Sequence, residues 1–167
     1  IMHIMDVPVQ SVSKSEHIYE KEKLLLDRVA SGDTEVCIQT FEQICDSLFK
    51  EYASSFQTVK QKLLELMVLI RHLGCTYRIE DEEYFKKGDY IEDFLKIEDP
   101  VELKSCCKKR IEYVSQCIKS IREKRINNRL ILKAIEYIKK NYRNKITLEE
   151  VAGELNISPH YFSKLFK

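Results

Sequence analysis

Residues 146–167 read ITLEEVAGELNISPHYFSKLFK. Thr147 followed by Glu150 has the spacing of a capping box, which predicts a helix beginning at Leu148. Leu148, Val151, Ala152 and Leu155 recur at helical spacing. Asn156 tolerates the left-handed conformation and stops that helix. Ile157 is a lone apolar residue between two polar ones. Ser158 is a capping residue and Pro159 occupies the first position of a second helix, where a missing N–H costs nothing. Phe162, Leu165 and Phe166 give this second helix an inner face. Ala152 is small where two helices would cross closely. Helix, short turn, helix is the pattern in which the second helix enters the major groove of DNA.

Outward from this stretch, the run A-x-x-L-x-I-S-P-x-Y-F-S-K-L-F-K starts at Ala152, and Tyr137, Ile138, Asn141 and Tyr142 precede it as Y-I-x-x-N-Y. Together, over residues 130–167, they resemble the first helix-turn-helix of the AraC/XylS family of bacterial transcription regulators. The resemblance implies double-stranded DNA as partner, with base-edge contacts from His160, Ser163 and Lys164. Tyr161 and Lys167 would approach phosphates or the motif's own surface. Thr147, with the backbone amides of the first helix, would hold a phosphate. Domains of that family carry two such units joined by a long helix; here the sequence stops where the joining helix would begin, so the second unit is expected to be missing. Further upstream, KEKLLLDRVASGDTEVCIQTFEQI, with its E-K-x-L-L and S-G-D, resembles the helical hairpin ahead of the DNA-binding domain in many such regulators.

Composition sets the class. The chain has 167 residues, 44% of them hydrophobic, with only four Gly and three Pro. That supports a sizeable core with little turn chemistry, and it predicts an all-α protein: a helical bundle followed by a truncated helix-turn-helix module. No apolar run is long enough to span a membrane. The start, IMHIMDVPVQ, lacks the charged region and cleavage site of a signal peptide. Charge is uneven. Residues 1–99 hold 12 Lys and Arg against 20 Asp and Glu, a balance of −8, and residues 100–167 hold 16 against 7, a balance of +9. A DNA-contacting C-terminal part behind an acidic domain has this asymmetry; a lysine-rich composition of solvated faces gives it too.

The six cysteines (37, 45, 75, 106, 107 and 117) form no C-x-x-C and take no zinc-finger spacing with His. A cytoplasmic protein would hold them as thiols. Cys45, Cys107 and Cys117 fall in apolar stripes and read as small buried hydrophobes, while a thiol sensor or metal site at Cys106 and Cys107 is the alternative. The four His are scattered at 3, 17, 72 and 160. With no Gly-rich phosphate loop, no nucleophile elbow and no H-E-x-x-H, neither enzyme activity nor a cofactor is expected.

Taken in order, residues 1–12 show no periodicity and read as irregular or as a remnant of a preceding domain. Ser13 and Glu16 open a helix to about Ala30 with Ile18, Leu25 and Val29 inward; Gly32 ends it and Asp33 caps the next, from Thr34 to about Ser54, whose inner face is Phe41, Ile44, Cys45, Leu48 and Tyr52. Thr58 and Gln61 open a third, 59–73, closed by Gly74 and apolar almost all round, which predicts burial on every side. Glu65 inside it would be structurally paired, at a rim, or bound to a ligand amine; His72 is either a helix-end cation or a ligand contact. Residues 75–99, with the acidic run 80–83 and the aromatics Tyr84, Phe85, Tyr90 and Phe94, suggest one or two short helices. Asp99 and Pro100 then begin a long helix. Cys107, Ile111, Val114, Ile118 and Ile121 alternate spacings of four and three, a heptad seam that either packs inside its own domain or pairs a homodimer. EKRINN, residues 123–128, is a short linker or a continuing helix, so the expected domains are 13–125, for sensing or dimerisation, and 126–167. From Leu130 to Tyr142, Ile131, Ile135, Ile138 and Tyr142 are expected inward.

Two functions fit. One is a sequence-specific transcription regulator whose recognition helix, residues 158–167, is governed by the upstream domain and a small-molecule effector. The other is a helical ligand-sensing or dimerisation module that does not bind DNA by itself.

Overall fold

The computed structural model describes residues 9–79 and 90–166, with the side chains of 17–79 and 91–166. Every regular element among them is helical: α1 (Val9–Ser31), α2 (Thr34–Glu51), α3 (Phe56–Thr76), α4 (Tyr90–Lys96), α5 (Pro100–Asn141), α6 (Leu148–Glu154) and α7 (Pro159–Leu165). The all-α expectation holds. The chain divides into two compact units, Ile1–Lys119 and Ser120–Lys167. That boundary falls six residues before the expected one, and EKRINN is helical, inside α5. The acidic run 80–83, Tyr84, Phe85, His3 and Lys167 lie outside the described residues.

In the first unit, helix ends follow local chemistry. Gly32 adopts φ 81° and its N–H donates to the carbonyls of Arg28 and Val29, both at 3.1 Å. A Cβ here would lie 2.8 Å from Lys119 Cβ and 2.9 Å from Lys119 Cα. Gly32 is therefore required twice, for its backbone conformation and for the close approach of α5. Asp33 then caps α2, accepting from the Val36 N–H at 3.4 Å. The cap of α3 is Ser55 and not Thr58, so that helix starts three residues earlier than expected. Gly74 is interior to α3. The helix ends with Arg78 in the left-handed region at φ 58°, where the Ile79 N–H reaches back to the Gly74 carbonyl and the Arg78 N–H to that of Cys75. Nor is α1 delayed to residue 14; it starts at Val9.

α2 and the first half of α5 run antiparallel. Thr34 and Ser115 share a hydroxyl hydrogen bond at 3.1 Å, Lys108 meets Glu42 at 3.5 Å and Lys104 meets Asp46 at 3.8 Å. Those ion pairs are exposed and contribute about 0–1 kcal/mol each. Between them Cys107, Ile111, Val114 and Ile118 are at 0% exposure, and full burial of one aliphatic side chain contributes about 1.5–3 kcal/mol. The apolar seam therefore sets the packing. This corrects the dimer seam: those four side chains are consumed by the core of their own unit, and only Ile121 is half-exposed.

α3 buries Leu63, Leu66, Met67 and Ile70, but Val68 and Leu69 on its other side are exposed, so it is not covered on every side. Glu65 is exposed and pairs with Lys62 at 3.1 Å, a surface role. His72 is also exposed. Lys60, by contrast, is buried; its Nζ donates to the Leu95 carbonyl of α4 at 2.9 Å and lies 5.3 Å from the Phe56 ring centre, pinning α4 to α3.

Candidate nucleic-acid interface

The second unit is built from the rest of α5 with α6 and α7. At the start of α6, Thr147 Oγ1 accepts from the Glu150 N–H at 3.2 Å and Glu150 Oε2 accepts from the Thr147 N–H at 3.0 Å. Both halves of the capping box are formed. At its other end Asn156 takes φ 55°, the Ile157 N–H donates to the Ala152 carbonyl and the Asn156 N–H to that of Gly153, both at 3.0 Å. This paired closure turns the chain sharply within a few residues. Ser158 Oγ accepts from the Tyr161 N–H at 3.2 Å with Pro159 at the first helical position, and α7 begins. Sequence-local signals thus place both short helices.

Their core is Ala134, Val151, Ala152, Leu155 and Phe162, with Leu130, Tyr137, Ile146 and Ile157 packed around it. The face that α5 turns inward is a correction. Leu130, Ala134 and Tyr137 point to α6 and α7, whereas Ile135, Ile138 and Tyr142 are exposed and Ile131 is half-buried. Both sets have helical spacing. Only the inner one contains Ala134, whose small side chain admits a close neighbour, and period alone does not separate two adjacent stripes.

On α7, Phe162 is the anchor at 8% exposure, and Leu165 is half-buried. Phe166 departs from expectation at 46% exposure. Its ring lies tilted against that of Phe162, at 42° with centres 4.7 Å apart, but it follows the last helical residue. His160 and Lys164 are exposed and Ser163 is half-buried; at helical spacing these three share one side of α7. Tyr161 is differently engaged: its hydroxyl donates to Asn127 Oδ1 on α5 at 2.8 Å, linking residues 34 apart in sequence. Thr147's hydroxyl is occupied by the cap. Asn127 was not visible as a site residue in the sequence, because nothing local marks the far partner of a tyrosine.

Four thiols of the first unit, Cys37, Cys45, Cys106 and Cys107, are held protonated. Burial pushes Cys45 up to about 12 and raises Cys107, Cys37 and half-buried Cys106 as well, the Arg110 guanidinium only partly opposing this at Cys106. Raised thiols in apolar surroundings are inert. Cys75 is exposed and Cys117 half-buried, so Cys117 is less enclosed than its stripe suggested. No helix among the described residues is long and apolar enough to cross a membrane.

No protein-family model, curated protein or solved structure matches the chain.

Proposed function

We propose that the chain is part of a cytoplasmic DNA-binding transcription regulator of AraC type, in which α6, the turn at Asn156 and α7 act as a helix-turn-helix. α7 enters the major groove. Lys164 donates to guanine acceptors, and His160 and Ser163 bond other base edges. Tyr161 acts on the protein side, holding α7 against α5 through Asn127. The N-terminal amides of α6, with Thr147 as their cap, face a phosphate of the same duplex. The second helix-turn-helix of that family, a small-molecule effector and a second copy of the chain stay implications of the resemblance.

One observation carries this reading: a doubly capped helix pair that buries Phe162 and leaves His160, Ser163 and Lys164 together on the opposite side of a short helix. A purely structural appendage would have no need to fix a polar face so firmly. The test is selection of duplexes from a randomised pool by the full chain. Enrichment of a motif, lost in the His160→Ala/Ser163→Ala/Lys164→Ala variant and shifted at one base position by Lys164→Ala alone, is the expected result. A pool that stays random, or enrichment that the triple variant preserves, overturns it.

A further inference from the structure

The second unit carries more cation than its groove-reading helix uses. Residues 120–167 hold 11 Lys and Arg against five Asp and Glu, a balance of +6, while residues 1–119 stand at −5. In the first unit Lys62, Lys96, Lys104 and Lys108 each sit within 4 Å of a carboxylate. In the second, Arg129, Lys133 and Lys140 of α5 are all exposed, and among the described residues none has a carboxylate within ion-pairing distance.

These three fall on one line. At roughly 100° per residue, the spacings of four and seven bring them within about 40° of one another around the helix. Arg122 extends the same line and is already engaged within the chain. The line lies beside the inward face of Leu130, Ala134 and Tyr137. Lys133 and Lys140 also line a groove of about 280 Å³ with Glu136, Tyr137, Glu154 and Leu155, so the basic line borders α6. From Arg129 to Lys140 it runs roughly 16 Å.

Glu136 falls on the same line between Lys133 and Lys140, so these four side chains carry a net +2. A net-positive row on a rigid helix is matched by a polyanion that releases counterions on binding. We infer that the face of α5 carrying Arg129, Lys133 and Lys140 is a phosphate-tracking surface for duplex DNA, a second binding face beside α7. It supplies affinity without sequence information, because phosphate contacts position a protein while base edges specify. The inference rests on the DNA-binding reading above.

The experiment is fluorescence anisotropy of a labelled mixed-sequence duplex of a few helical turns, titrated with the full chain over a series of KCl concentrations. Arg129→Gln/Lys133→Gln/Lys140→Gln should bind at least tenfold more weakly at low salt. The slope of log affinity against log salt should fall by about one for each phosphate no longer neutralised, up to about three. Its helical circular-dichroism spectrum should match that of the parent chain, since the side chains are exposed. Lys124→Gln/Lys139→Gln/Lys145→Gln removes the same charge away from this line and should keep most of the slope. Equal reductions in both variants reduce the effect to net charge and overturn the inference. So does an unchanged slope in the first. The α7 triple variant separates the two readings: if it keeps full motif preference while the α5 variant has a shallower slope, the groove reading fails and the phosphate surface stands. If the parent chain binds no duplex, both fail.

Discussion

Phe162→Ala is the perturbation whose size follows most directly from the packing. Phe162 is 8% exposed and sits among Ala134, Val151, Ala152 and Leu155. Truncating a buried Phe costs about 3–5 kcal/mol, because the transferred surface is lost and the cavity only partly collapses. A unit of the size of Ser120–Lys167, at about 0.05–0.15 kcal/mol per residue, has only about 2–7 kcal/mol in total. The substitution therefore removes most or all of the unit's stability. Phe166→Ala is the internal control: with the ring 46% exposed and one tilted aromatic partner at 4.7 Å, it forfeits about half the burial and one aromatic pair, about 1–2 kcal/mol. Hydrogen exchange on the full chain, followed by mass spectrometry of peptides from residues 143–166, reads the difference. Phe162→Ala should bring these amides to near-unprotected rates while peptides from α2 and α3 keep their protection. Phe166→Ala should only modestly speed exchange. Equal effects of the two substitutions, or slow exchange in Phe162→Ala, would refute the assignment of Phe162 as the anchor.

Three further outcomes are expected. Tyr161→Phe keeps the ring and deletes the hydrogen bond to Asn127; an exposed bond of this kind is worth about 0.5–1 kcal/mol, so motif affinity should fall a few-fold with the same bases preferred, whereas a changed base preference would make Tyr161 a groove contact. Gly32→Ala places a Cβ 2.8 Å from Lys119 Cβ at φ 81°, and left-handed strain alone costs about 1–2 kcal/mol, so chemical denaturation should show a loss of at least about 2 kcal/mol; a neutral result would mean the α1–α2 turn is placed differently. Burial, partly offset by Lys62, raises the Glu22 carboxyl above 4.5. The folded state then holds that proton to a higher pH than the unfolded chain, so stability falls as pH rises through the window between the two values. Glu22→Gln should accordingly melt higher than the parent at pH 7, with the gain vanishing below the ordinary carboxylate range, and a lower melting temperature at pH 7 would reverse the sign.

How much of this was legible from the chain depends on the range of the interaction. Capping is local: Thr147 with Glu150, Ser158 ahead of Pro159 and Asp99 ahead of α5 were readable because each capping side chain bonds a backbone group within a few residues, and Asn156 because it tolerates the left-handed region. Inner faces with a single apolar stripe, such as Ile18, Leu25 and Val29, were readable as well. Apart from the starts of α1 and α3, what failed required knowledge of neighbours. The second half of α5 offers two stripes, and the choice of Leu130, Ala134 and Tyr137 over Ile135 and Ile138 is made by α6 and α7. The heptad seam looked equally suited to a second copy and to its own domain; the full burial of Cys107, Ile111, Val114 and Ile118 within the first unit decides for the domain. In the proposed site, spacing left His160, Tyr161, Ser163, Lys164 and Lys167 outward and the family resemblance singled out His160, Ser163 and Lys164, whereas Asn127 became visible only through its bond to Tyr161 and the line Arg129, Lys133 and Lys140 only once carboxylate positions were known.

Whether α7 reads a groove is tested most directly by titrating isotope-labelled full chain with a duplex enriched from the random pool and following backbone and side-chain signals by NMR. Perturbations concentrated at His160, Ser163 and Lys164, with Phe162 unmoved in its core, are the expected result. Signals of α7 that stay in place while the duplex binds elsewhere on the chain would contradict it.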